Sequence, residues 1–208
     1  MLERLGVAVD FPREQTCCGQ MHLNAGYAAE ARVLARRFVQ VFAGRETIVS
    51  PSASCTAHVR HSVPELTGPQ GAEVAARVLE LSEFLVDRLG VEDVGSSYRG
   101  SVTYHPSCHS LRLLRLGDRP LRLLSRVGGV ELRALPDAEE CCGFGGTFAV
   151  KNAAVSTAML RDKLGNVATT GAGAVCACDS SCLLHIGGGL QRQGRPVRAL
   201  HLAEILAA

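Results

Sequence analysis

Gln15-Thr16-Cys17-Cys18-Gly19-Gln20 and, far downstream, Cys141-Cys142-Gly143-Phe144-Gly145-Gly146-Thr147-Phe148 decide the fold, because the second stretch repeats the surroundings of the first. Pro12 lies five residues before the first cysteine pair, and Pro136 lies five before the second. Each pair is followed by a long helix-like run, a short apolar run and a turn that ends in another cysteine. The first ending is Thr47-Ile48-Val49-Ser50-Pro51-Ser52-Ala53-Ser54-Cys55, and the second is Ala174-Val175-Cys176-Ala177-Cys178-Asp179-Ser180-Ser181-Cys182. Thirty-six residues lie between Cys18 and Cys55, and thirty-nine between Cys142 and Cys182. Matched order and spacing of this kind read as internal duplication.

Working outward, the spacing predicts helices between these landmarks. From Asn24 to Phe42, Ala31, Leu34, Ala35, Phe38 and Phe42 fall on one apolar stripe. Val74, Val78, Leu81, Leu85 and Leu89 suggest a second helix between Gly71 and Gly90, with Gly90 as its stop. Asn152 is a suitable cap for a third, running to about Thr169. The strand candidates are Val7 to Phe11, Thr47 to Ser50, Ser101 to His105, Val130 to Leu135, Ala174 to Ala177 and Pro196 to Ala199. Gly187-Gly188-Gly189 reads as a helix terminator or hinge. Short apolar strands alternating with amphipathic helices argue for an α/β fold of two pseudo-symmetric repeats, each a small parallel sheet flanked by helices. The turn-rich Asp93-Val94-Gly95-Ser96-Ser97 divides them into residues 1–94 and 95–208.

Composition narrows the function. The 208 residues carry a formal net charge of +2, with both signs interspersed, which gives no electrostatic case for nucleic acid or an anionic membrane. There is no Trp and there are only three Tyr, so stacking platforms for bases are not expected. No run approaches the roughly 18 apolar residues of a membrane helix. The first residues lack the layout of a secretion signal, and a reducing cytoplasm is the expected setting. Nine cysteines then point to metal or redox chemistry rather than to disulfides.

The grouping of those cysteines matters more than their number. In the second repeat Cys108, the Cys141-Cys142 pair and Cys182 each sit beside turn formers. Turns at the C-terminal ends of parallel strands converge on one sheet edge, so three such turns can gather four thiolates. Four soft thiolates suit an iron–sulfur cluster or zinc. Zinc sites commonly use local Cys-x2-Cys pairs, which this chain lacks, and adjacent cysteines fit different irons of a cluster better than one ion. A redox dithiol is a further alternative. Cys176 and Cys178, in an apolar run, read as small hydrophobes, with Cys178 a conceivable fifth thiolate. His105 is a candidate to contact or tune the site; His58, His61 and His109 carry no assignment. Gly143, Gly145 and Gly146 let backbone N–H groups approach the sulfur atoms, and the run lacks the Lys and Ser/Thr of a phosphate loop.

With His105-Pro106-Ser107-Cys108-His109 added to the two quoted stretches, the chain resembles the cysteine-rich CCG-domain iron–sulfur oxidoreductases over nearly its whole length. The Phe-Gly-Gly after the second pair resembles the lactate branch. The resemblance implies a cytoplasmic iron–sulfur electron-transfer subunit that is not a complete catalyst alone. It would serve a complex oxidising L-lactate or a similar 2-hydroxy acid, with a ferredoxin-like iron–sulfur protein among its partner subunits. It implies one 4Fe–4S cluster on Cys108, Cys141, Cys142 and Cys182. Cys17, Cys18 and Cys55 would hold zinc or a second cluster. Where the family reads Cys-x-x-Cys, this chain has Ser52-Ala53-Ser54-Cys55 and Asp179-Ser180-Ser181-Cys182, which argues against the five-cysteine cluster of heterodisulfide-reducing relatives. That alternative, and a zinc-stabilised interaction module without catalysis, remain the competing readings. The counterpart of Cys108 in repeat one would fall before residue 1. Repeat one is therefore expected to be N-terminally incomplete, the natural polypeptide beginning upstream.

Overall fold

A computed structural model describes residues 1–208. Six strands form two parallel sheets flanked by helices, an α/β architecture. The first sheet pairs β1 (Ile48–Ser50) with β2 (Val78–Glu80), Ile48 opposite Val78 and Ser50 opposite Glu80. The second contains β3 (Ser97–Tyr104), β4 (Gly128–Arg133), β5 (Ala174–Ala177) and β6 (Arg198–His201), in the order β4-β3-β5-β6. All of its pairings are parallel, which requires the helical crossovers seen between its strands.

The helices of the first half are α1 (Gln20–Asn24), α2 (Ala28–Phe42), α3 (Ala53–Thr67), α4 (Pro69–Ala75) and the single turn α5 (Leu81–Glu83). The second half has α6 (Arg119–Ser125), α7 (Phe148–Lys151), α8 (Ala153–Thr169), α9 (Ser180–Arg192) and α10 (Leu202–Ala207). Wide, π-type turns occupy Phe84–Arg88 and His109–Leu113. The duplication is visible element by element. β1 runs into α3 as β5 runs into α9, and β2 and β6 each lead into a short helix closed by a capping box, Glu80 with Glu83 and His201 with Glu204.

Three sequence expectations need correction. The helix expected between Gly71 and Gly90 is broken by β2, because buried Val78 pairs with Ile48 and tertiary pairing overrides a local apolar period. Val7 to Phe11 is not a strand; it has no ladder partner, and Val9 and Phe11 are exposed. Gly187, Gly188 and Gly189 neither end nor hinge a helix but lie inside α9. A Cβ on Gly187 would stand 3.0 Å from the Ala199 Cβ, and one on Gly189 would stand 2.7 Å from Leu164 Cδ1, so two of these glycines let α9 press against β6 and α8. Asn152 does hold the N-cap position of α8, although its side chain makes no capping hydrogen bond.

β5 is buried on both faces, as a central parallel strand should be. Ala174 and Cys176 point into the largest apolar cluster, and Val175 points into another. That largest cluster joins Ala53, Ala57, Leu81 and Leu85 to Val102, Leu123, Leu124 and Ile205, so residues from both halves share one core. A cleft of about 960 Å³ opens in the first half, lined by Val7, Phe11, Ile48 and Ser50 among others. In the second half β5 pairs with β3 as well as β6, whereas β1 pairs with β2 alone and presents residues to this cleft. Cys17, Cys18 and Cys55 also line it.

Candidate metal centre

Each cysteine pair is held by the same turn. Gly19 and Gly143 adopt φ of 91° and 86°, a region that strains any side chain. The turn folds each glycine N–H back onto the first cysteine of its pair, Gly19 N to Cys17 Sγ at 3.5 Å and Gly143 N to Cys141 Sγ at 3.3 Å. A Cβ on Gly19 would crowd Leu34 and Ala31 of α2, and one on Gly143 would crowd Met159 and Ser156 of α8. The glycine thus brings each pair against the helix that follows it.

The fold brings the second-half thiols into one group. Cys108 leads into the π-type turn after β3, Cys141 and Cys142 sit in the loop between β4 and α7, and Cys182 lies in the first turn of α9. The neighbouring Cys108 thiol first, then Cys142 and the Gly143 N–H, hold Cys141 well below the usual thiol range. Cys182 is lowered to about 6, chiefly by Cys142 and further by the neighbouring His105 imidazole. The same closeness to Cys141 and Cys182, together with burial, pushes Cys108 and Cys142 up.

His105 completes the group from the end of β3. It is fully buried, both ring nitrogens lack a hydrogen-bond partner, and its ligating atom lies within 4.8 Å of the sulfurs of Cys142 and Cys182. An orphaned buried imidazole is costly, and its placement beside two thiols fits a site that takes a cation or a cluster. In the sequence His105 stands out only as a candidate, through its position three residues before Cys108 at the end of an expected strand.

The first-half thiols also meet, with Cys18 donating to Cys55 across 3.4 Å. That bond lowers Cys55 to about 6 and, with burial, raises Cys18. Cys17 is exposed at the mouth of the cleft. The first half supplies three such thiols where the second supplies four. Cys176 and Cys178 stand apart from both groups. Both are buried in the apolar core, and Cys178 Sγ lies 3.3 Å from Tyr104 Oη.

The two groups face a common seam. Gln20, directly after the first pair and its glycine, bonds His109, directly after Cys108, at 2.9 Å. Asp179, which the sequence shows only as a turn former, lies buried in the same seam among Ser52, Ser54 and Ser107.

Comparison with known proteins agrees with this arrangement. The family described as CCG, cysteine-rich domain, matches residues 1–60 and 102–187, which contain both thiol groups. The chain is 47% identical to lactate utilization protein A of Geobacillus kaustophilus (strain HTA426) over all of this chain and 89% of that protein. It is 42% identical to the protein of that name from Oceanobacillus iheyensis, covering 99% of this chain and 86% of the relative. The Bacillus pumilus protein of that name is 44% identical over 99% of this chain and 89% of its own length. With its paired Cys-Cys-Gly turns and this full-length similarity, the chain belongs to the cysteine-rich CCG domain family, on the side of the lactate utilization A proteins.

Proposed function

We propose that the chain is an iron–sulfur electron-transfer subunit of a lactate-utilisation system, with its cluster held by Cys108, Cys141, Cys142 and Cys182. The observation that carries this reading is the gathering of four thiols from three turns beside a fully buried imidazole, which has no hydrogen-bond partner and whose ligating atom lies within 4.8 Å of two of the sulfurs. A 4Fe–4S cluster bound there would supply one-electron transfer. The protein's own residues do the rest. The Gly143 N–H donates to Cys141 sulfur, where a fixed dipole tunes its basicity. Leu135, Leu164, Val175 and Ile186 pack around Cys142 and Cys182 and exclude water from them.

Cys17, Cys18 and Cys55 serve a second centre, zinc or a cluster, whose remaining ligand lies outside these three thiols. The name of the relatives supports a role in lactate utilisation. In our reading the chain serves the oxidation of L-lactate or a similar 2-hydroxy acid in the cytoplasm, with a ferredoxin-like iron–sulfur protein among its partner subunits. All nine cysteines are free thiols, and in this reading a reducing cytoplasm keeps them so. Residues 1–94 and 95–208 act as two halves around the seam, each presenting one thiol group. No helix is long and apolar enough to cross a membrane.

Anaerobic purification followed by iron, acid-labile sulfide and zinc analysis tests the assignment. Iron and sulfide in near-equal amounts are expected. Cys142→Ala should lose the second-half cluster, whereas Cys176→Ala, in the core, should keep it. Stoichiometric zinc without sulfide, or full iron retention in Cys142→Ala, would sink the electron-transfer reading.

A further inference from the structure

Asp179 is almost fully buried, and hydrogen-bond donors rather than a cation surround it. A buried carboxylate is costly unless its oxygens are satisfied. Asp179 stands at the N-cap of α9, yet its side chain makes no hydrogen bond to its own helix. It caps α3 of the other half instead. Oδ1 accepts from the Ser54 N–H at 2.9 Å, from Ser54 Oγ at 2.7 Å and from Ser52 Oγ at 3.1 Å. Oδ2 accepts from Ser107 Oγ.

Every one of those donors belongs to a thiol-bearing turn. Ser52 accepts the Cys55 N–H at 3.3 Å, so its hydroxyl links Asp179 to the turn that carries Cys55. Ser107 directly precedes Cys108 and accepts the Ser110 N–H at 3.3 Å. Asp179 itself opens the turn that carries Cys182. A backbone bond from Ala53 N to Cys178 O, at 3.3 Å, ties two of these turns again. Ser52 and Asp179 are counterparts in the duplication, each three residues before a thiol at a helix start, and they meet each other across the seam. One carboxylate thereby holds ligand turns from both thiol groups.

We propose that Asp179 is a positioning residue that couples the two thiol groups, so that occupancy of one alters the other. The inference rests on the reading that both groups bind metal. The physical route is short: a metal that draws Cys55 into place shifts Ser52 and Ser54, and through Asp179 shifts Ser107 and the start of α9. Such coupling is reciprocal by thermodynamic linkage.

Two measurements decide it. In the reduced, metal-free protein, amide exchange is compared among the unsubstituted chain, Asp179→Ala and Asp179→Asn. Asp179→Ala should speed exchange about tenfold or more at Ser54 and Cys55 and also at Ser110, segments far apart in sequence. Asp179→Asn keeps an acceptor for the Ser54 N–H and should restore part of the protection. Faster exchange confined to the start of α9 would overturn the proposal. The second measurement follows Co²⁺ binding by its thiolate absorption bands. In the Asp179 protein, Cys18→Ser should weaken Co²⁺ binding at the second-half thiols by severalfold, and in the Asp179→Ala background that dependence should vanish. An equal effect in both backgrounds refutes the coupling. If Co²⁺ binds neither group in the unsubstituted chain, the metal-site reading fails, while the exchange result still judges Asp179 as a structural anchor.

Discussion

Gly143 shows how closely one residue is tied to the second-half thiol group. Its φ of 86° alone costs an L-residue about 1–2 kcal/mol. A Cβ there would also stand 2.7 Å from the Ser156 carbonyl oxygen, a backbone atom that cannot step aside. Gly143→Ala is therefore expected to destabilise the protein by about 2 kcal/mol or more, and to lower iron content as Cys141 and Cys142 are displaced. Gly188 is the control. Nothing lies within 4 Å of a Cβ built on it, and it sits in mid-helix, so Gly188→Ala should be neutral or stabilising by up to about 1 kcal/mol. Thermal unfolding of the two variants separates these outcomes. At this scale the paired cysteines and their glycine are legible in the sequence, because nothing bland explains Cys-Cys-Gly twice at matched spacing. Asp179 is not, because a single aspartate before a helix reads as that helix's own cap. Only the fold reveals that it caps the helix of the other half.

At the scale of elements, the capping box after β2 carries a pH response. Glu80 is fully buried, and burial raises its carboxyl to about 7 despite hydrogen bonds from the Ser82 N–H and hydroxyl. Its ordinary value is 4.5, so the folded protein holds this proton more tightly than the unfolded chain does. The stabilising contribution is thus fully present below pH 4.5 and is lost as pH rises through about 7. Each pH unit between those two values is worth roughly 1.4 kcal/mol, so the whole loss comes to about 3 kcal/mol. Glu80→Gln should flatten this part of the stability profile, measured by urea unfolding of metal-free protein at several pH values. An unchanged slope would show that Glu80 is not the titrating group. The same element shows where sequence reading fails. Val74, Val78, Leu81, Leu85 and Leu89 keep a helical period, yet β2 interrupts them. A three-residue strand leaves too short an alternation to compete, and only the pairing of Val78 with Ile48 decides it. By contrast α8 and β5 are legible nearly to the residue, since a long periodic run and a compact apolar run have few alternatives.

For the whole molecule, the seam determines how the two halves behave. Duplication suggests two units that could fold alone, and the turn-rich Asp93 to Ser97 suggests where they would part. The packing argues otherwise. Ala53 and Ala57 of α3, with Leu81 and Leu85, are buried against Val102, Tyr104 and Leu124 of the second half, in one cluster of 19 residues. Cutting at residue 94 would expose both faces of that cluster and strand Asp179 without Ser52 and Ser54. The metal-free protein is thus expected to unfold in a single cooperative transition, with near-ultraviolet and far-ultraviolet signals falling together. Residues 1–94 expressed alone should lack stable tertiary structure, because their two-stranded sheet keeps only the smaller cluster around Val39, Phe42 and Val63. Two separated transitions, or a folded first half with dispersed amide resonances, would show that the repeats are independent. In that case the shared core would be a docking surface, and coupling between the thiol groups would have to survive on the hydrogen bonds of the seam, those of Asp179 together with Ala53 N to Cys178 O and Gln20 to His109.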